Sequence, residues 1–103
     1  MTSAVSDYIQ QFVFNLRASR IPFSQVILFG SHAKGKTHAW SDLDLCVVSD
    51  VFGEDFQKET ILLTKLLPKG DMPVDIIPYS INSFSDKYDP LAKEIRETGV
   101  LVS

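Results

Sequence analysis

A single α/β domain, in the α+β sense of helices packed against one small mixed sheet of about four strands, is the architecture predicted across residues 1–103. Three observations predict it. The length allows one modest core and no more. The apolar fraction of 45% and charged fraction of 22% are those of an ordinary globular chain. Short apolar runs of strand length alternate with segments whose apolar residues recur every three or four positions.

The elements follow in order. Val5, Tyr8, Ile9, Phe12, Val13 and Leu16 mark one face of a helix over about 3–20, and Pro22 breaks the chain after it. "VILF" (26–29) is a fully apolar strand of the kind buried on both faces. "DLDLCVVS" (42–49) is the second strand. Phe52, Phe56, Leu63, Leu66 and Leu67 predict a second helix over about 53–67, with Asp50 as a candidate cap and Pro68 and Gly70 to end it; Phe12 and Phe56 are expected in the core. "PVDIIPY" (73–79) is a third strand. "PLAKEIRETG" is a helix with Pro90 in its first turn and Gly99 at its end, and "VLVS" a closing edge strand.

The formal net charge is −3 with no basic run, which argues against a broad nucleic-acid surface; no direct nucleic-acid binding is expected. No stretch approaches the roughly 20 apolar residues that span a bilayer, and the first residues lack a leader pattern. The lone Cys46, inside an apolar run, reads as a reduced and inert thiol. Together these predict a cytoplasmic protein without a membrane partner.

Two nucleotide-handling patterns overlap at "GSHAKGKTHAWSDLDL". Residues 30–37 satisfy G-x-x-x-x-G-K-[ST], whose lysine and hydroxyl residue belong on the first turn of a helix. Only His38, Ala39, Trp40 and Ser41 separate Thr37 from the strand "DLDLCVV", so that helix has no room and this pattern fails. The second pattern is Gly-Ser, ten residues, then D-x-D. Gly30 ends a buried strand and, lacking a Cβ, admits a phosphate close to the backbone. Ser31 is suited to cap a one-turn helix, "HAKG", with amides aimed at an anion, and Gly35 to stop it in the left-handed region. His32 lines this turn, and Lys34 and Lys36 are solvated cations near it. His38 and Trp40 belong to a surface loop, where Trp40 has a ring able to stack on a base.

Asp42 and Asp44 alternate onto one face of a strand with Cα atoms about 6.5–7 Å apart. Carboxylates so placed suit a metal pair about 3.5–4 Å apart, and magnesium in particular, which takes oxygen ligands and substrate phosphates. Asp75, within the apolar "VDII", is hard to explain as packing unless paired or bound to metal; from a neighbouring strand it reaches the same ions or takes a proton from a hydroxyl.

On these residues (Gly30, Ser31, the ten residues 32–41, Asp42, Asp44 and Asp75) the chain resembles the minimal nucleotidyltransferases of the DNA polymerase β-like superfamily. The resemblance implies that fold, and transfer of a nucleoside monophosphate from a nucleoside triphosphate, ATP first, to a hydroxyl. It implies two Mg2+ ions on Asp42 and Asp44, with Asp75 on the ion that activates the nucleophile, and the β- and γ-phosphates on Gly30 and Ser31. Members often carry Arg where this chain has His32 and Lys34, either of which can meet a phosphate; a proline common before D-x-D is Ala39 here. With nearly all 103 residues spent on the nucleotide site, something else must present the acceptor. The resemblance implies a HEPN-type toxin, an RNA-cutting protein that such an antitoxin modifies on a tyrosine with AMP. Two other readings stay open: a non-catalytic module that masks the toxin, and a transferase whose acceptor is a small molecule or RNA brought by a partner subunit. The sheet's exposed edge leaves room for a homo- or hetero-oligomer.

Overall fold

A computed structural model describes residues 2–35 and 42–103. The order is α1 (Ser3–Ala18), β1 (Gln25–Phe29), β2 (Leu43–Val48), α2 (Phe56–Thr64), β3 (Val74–Tyr79), α3 (Ile81–Phe84), α4 (Pro90–Thr98) and β4 (Val100–Leu101). The four strands form one mixed sheet in the order β3-β2-β1-β4. β1 runs antiparallel to β2 and β4, whereas β2 and β3 are parallel and joined through α2. The predicted sheet of about four strands, with helices against it, is what the chain forms.

β1 and β2 lie in the centre, so both bury nearly every side chain (Val26, Ile27, Leu28, Leu43, Leu45, Cys46, Val47) whichever face it takes. Alternation divides that burial into two layers. Val26, Leu28, Leu43, Leu45, Val47 and Ile76 meet α1 residues Ile9, Phe12 and Leu16 and α2 residue Leu63. Ile27, Phe29, Cys46 and Val48 meet Phe84 of α3 and Ala92 and Ile95 of α4.

The helix ends follow their caps. The Thr2 hydroxyl accepts the Val5 N–H (3.2 Å), opening α1. α1 ends at Ala18 rather than Arg20 because Arg20 turns into the left-handed region, φ 64°. α2 starts three residues later than the apolar spacing suggests, and Asp50 is not its cap. Asp55 accepts the Lys58 N–H, and the Glu59 carboxylate reaches back to the N–H groups of Gly53, Glu54 and Asp55, which holds them outside the helix. The α-helix stops at Thr64, and Leu66 and Leu67 continue in three-residue turns. Phe56 is 61% exposed and so outside the core, while Phe12 is fully buried. Helical spacing identifies a face, but nothing among the described residues covers this part of it.

α3 has no counterpart in the sequence reading; it is a four-residue turn that the Ser80 hydroxyl caps by accepting the Ser83 N–H. α4 begins at Pro90 behind the cap Asp89 and ends at Gly99, as its sequence predicts. β4 is two residues long and an edge, also as expected. Cys46 is fully buried, and burial pushes its thiol up to about 12, which leaves it inert. Among the described residues no helix is long and apolar enough to cross a membrane.

Candidate active site

Three chain segments converge at one end of the sheet. β1 runs to Phe29 and turns sharply at Gly30, φ 73°. β2 begins beside it, so that Phe29 pairs with Asp44. β3 lies on the other side of β2, and its parallel register sets Asp75 directly opposite Asp44. Side chains in register across neighbouring strands share a face, about 4.8 Å apart along the hydrogen-bonding direction. Asp42, two residues before Asp44, takes the same face by alternation.

The electrostatics record this proximity. Burial pushes the Asp44 carboxyl above the usual carboxylate range, the negative charges of Asp75 and Asp42 push it further, and the His32 imidazole pulls it back. Asp44 is half-buried, and Asp42 and Asp75 are exposed. The sequence argument for Asp75 therefore needs correcting. It is exposed rather than enclosed by apolar residues, although its strand neighbour Ile76, on the opposite face, is buried. What singles it out is its register against Asp44.

The turn after β1 is built around Asp44 as much as around any ligand. A Cβ on Gly30 would stand 2.2 Å from Asp44 Oδ2, so the carboxylate occupies the space that glycine leaves. The Lys34 N–H donates to the Gly30 carbonyl (3.2 Å) and the Gly35 N–H to that of His32 (3.4 Å). This is a turn rather than the predicted one-turn helix, and among the described residues the Ser31 hydroxyl accepts no backbone N–H as a cap. Gly35 does supply the left-handed residue, φ 69°. His32 Nε2 is buried with no hydrogen-bond partner among the described residues. Lys34 pairs with Glu94 of α4 at 3.1 Å, with both side chains well exposed. Nothing local in the sequence marks Glu94 as its partner, 60 residues away. Lys36, Thr37, His38, Ala39, Trp40 and Ser41 lie outside the described residues. β2 begins at Leu43, which leaves no room for the roughly ten or more helical residues that the G-K-T pattern requires after Thr37.

The structure thus brings together Gly30, His32, Asp42, Asp44 and Asp75, with Ser31 in the same turn, and engages Lys34 elsewhere. The carboxylates form an open rim rather than a closed ligand shell: among the described residues no three His, Cys, Asp or Glu side chains converge on one point. The donor set still suits a hard cation. All three groups are carboxylates, they repel one another at Asp44, and Lys34 is turned to Glu94. Magnesium keeps several waters and takes substrate phosphates as ligands, so an open rim matches its habit.

Comparison with known proteins places the chain in a family. A crystal structure of a nucleotidyltransferase-type protein from Sulfolobus solfataricus superposes with a TM-score of 0.65 at 19% identity, covering 98% of this chain and 86% of that one, which establishes the fold. A Methanocaldococcus jannaschii protein named "Putative protein adenylyltransferase" is 38% identical over 80 residues, 77% of each chain. Residues 16–102 match the nucleotidyltransferase domain family. With the turn at Gly30 closed over Asp44 and Asp75 in register beside it, this chain belongs to the nucleotidyltransferase domain family and is a nucleotidyltransferase.

Proposed function

We propose that the protein transfers AMP from ATP, with Mg2+, to a tyrosine hydroxyl of a partner protein, and that this partner is a HEPN-type toxin for which it serves as antitoxin. The observation that carries the transfer chemistry is the in-register pair Asp44 and Asp75 beside Asp42 under the Gly30 turn. The name of the M. jannaschii relative, a protein adenylyltransferase, supports a protein acceptor and an adenylyl group. The HEPN partner rests on the resemblance to the minimal nucleotidyltransferases.

In this reading Gly30 and Ser31 hold the β- and γ-phosphates, with the buried Nε2 of His32 as a further donor in the turn. Asp42, Asp44 and Asp75 would hold the magnesium ions, which when bound neutralise the triphosphate and lower the pKa of the attacking hydroxyl. Asp75, exposed on the outer strand, faces the incoming hydroxyl and takes its proton. The hydroxyl oxygen forms a bond to the α-phosphorus while the bond to the bridging oxygen breaks, and pyrophosphate leaves. A phenol suits this site because it ionises more readily than an aliphatic alcohol.

The test supplies ATP labelled at the α- or the γ-phosphate, with magnesium and the HEPN-type protein encoded beside the gene. Label from the α position alone, lost in Asp44→Asn, is the expected result and identifies the acceptor. Label from the γ position would overturn the proposed chemistry. No label from either, with a stable complex, would leave a masking module in its place.

A further inference from the structure

The outer edge of β3 carries a feature that the transfer chemistry does not use. The Leu43 N–H donates to the Pro73 carbonyl (2.9 Å) and the Ser49 N–H to that of Tyr79 (3.0 Å). These two bonds set the phase of the strand. Odd-numbered residues of β3 turn their main chain toward β2, and Val74, Ile76 and Pro78 turn theirs outward. β3 is the end of the sheet, and among the described residues no group bonds the main chain of Val74 or Ile76. Pro78 has no N–H, so the outward edge is closed to pairing at its far end. Val74 and Ile76, the two residues that flank Asp75, have no pairing partner there among the described residues, the side chain of Ile76 being turned into the core.

We propose that this open edge is the docking site of the acceptor: an extended segment of a partner protein adds beside β3 at Val74 and Ile76 and presents its hydroxyl residue opposite Asp75. The proposal deepens the transferase reading above and rests on it. A residue opposite Asp75 on an added strand shares the face of Asp75 and Asp44, a strand spacing of about 4.8 Å away. Main-chain pairing supplies the affinity, and the side chain opposite Asp75 supplies the hydroxyl. Beyond Ile76 the edge meets a cavity of 360 Å³ lined by Phe56, Glu59, Ile77, Tyr79, Asp89 and Leu91. That cavity receives an apolar side chain farther along the same segment. Asp42, Asp44, Asp75, Glu59 and Asp89 make the track acidic, which favours basic residues flanking the hydroxyl. Pro78 fixes where the segment must leave the strand.

The probe is an array of synthetic peptides about ten residues long, each with one central tyrosine among valine, threonine and lysine. A second array carries phenylalanine in place of the tyrosine, and a third carries N-methyl groups at the two positions beside it. Docking is read from the backbone amide shifts of the 15N-labelled protein with the phenylalanine array, and transfer from α-labelled ATP with the tyrosine array. The expected result is saturable shifts at Val74 and Ile76, label on the tyrosine peptides, and loss of both with N-methylated peptides. Val74→Pro removes one outward donor and should raise the peptide KM about fivefold with kcat and ATP binding unchanged; Pro78→Val adds one and should lower KM by a similar factor. Label without these shifts, or label indifferent to N-methylation and to both variants, would overturn the edge and keep the transferase. Shifts without label would keep the edge and count against the transferase. Neither shifts nor label would overturn both. Shifts that grow with protein concentration in the absence of peptide, with a doubled mass in sedimentation, would assign the edge to a second copy of this chain and overturn the acceptor site.

Discussion

The two faces of the sheet are made by the same strands and used in opposite ways. On β2, Leu43, Leu45 and Val47 enter one layer, and Asp44, Cys46 and Val48 the other. The first layer is continuous: α1 and α2 cover it from Leu43 to Val47, and Phe12, Leu16 and Leu63 are completely buried there. The second layer is covered only over its lower part. Phe84, Ala92 and Ile95 meet Cys46 and Val48; at the level of Asp44 the layer keeps Phe29 on β1, but β2 and β3 present the carboxylates of Asp44 and Asp75. The site sits where one helical layer stops short of the strand ends. One face supplies the stability with which the other keeps three like charges together.

Replacing Asp44 breaks this contrast most directly. Asp44→Asn should lower transfer by about 10³-fold, since it removes a carboxylate from the centre of the rim. The same change should raise Tm. A carboxyl held above its ordinary range gives its full contribution to folding only while protonated, at pH below that ordinary range. The contribution is lost as pH rises through the raised value, so ionised Asp44 opposes folding. Thermal unfolding at pH 7 with and without magnesium checks both halves: the ion should raise Tm of the parent protein and do little for the variant. A variant less stable than the parent would contradict the repulsion inferred here.

The continuous face should answer in the opposite sense. Phe12→Ala empties the centre of the larger core and should cost about 3–5 kcal/mol. Phe56→Ala, at the exposed start of α2, should stay within about 0.5 kcal/mol. Denaturant titration of the pair measures this difference. Near-equal costs would mean that α2 is packed against something on its outer face.

These two phenylalanines also show what the sequence could and could not tell. Spacing placed both on helices, and it has no way to tell a helix lying across a sheet from a short one whose start overhangs the edge. Gly30, Asp42 and Asp44 were legible because they depend on strand alternation and one turn, both local. Asp75 was legible as a carboxylate on a strand beside Asp44; what the sequence did not show is its exact parallel register against Asp44, set by the crossover through α2, or its exposure. A usable signal was present in the same strand. Proline belongs to sheet edges, so Pro78 marks β3 as an edge. The Lys34 to Glu94 pair joins residues 60 apart and had no signature at all.

The finest contrast lies within one turn. Gly30 and Gly35 both sit in the left-handed region, at φ 73° and 69°, so an alanine at either should cost about 1–2 kcal/mol for backbone conformation. Their surroundings differ. An added methyl at Gly35 meets nothing within 4 Å, whereas at Gly30 it would stand 2.2 Å from Asp44 Oδ2. The Asp44 carboxylate is at the end of a short side chain and can swing aside, so Gly30→Ala need not cost much more stability than Gly35→Ala. It must, however, displace the Asp44 carboxylate from its place beside Asp75. The two variants should therefore unfold within about 1 kcal/mol of each other, while transfer falls by at least about tenfold more in Gly30→Ala. Parallel losses of activity would mean that Gly30 serves the turn alone. A gap in activity without one in stability would show that this glycine is kept for the carboxylate that fills its empty side.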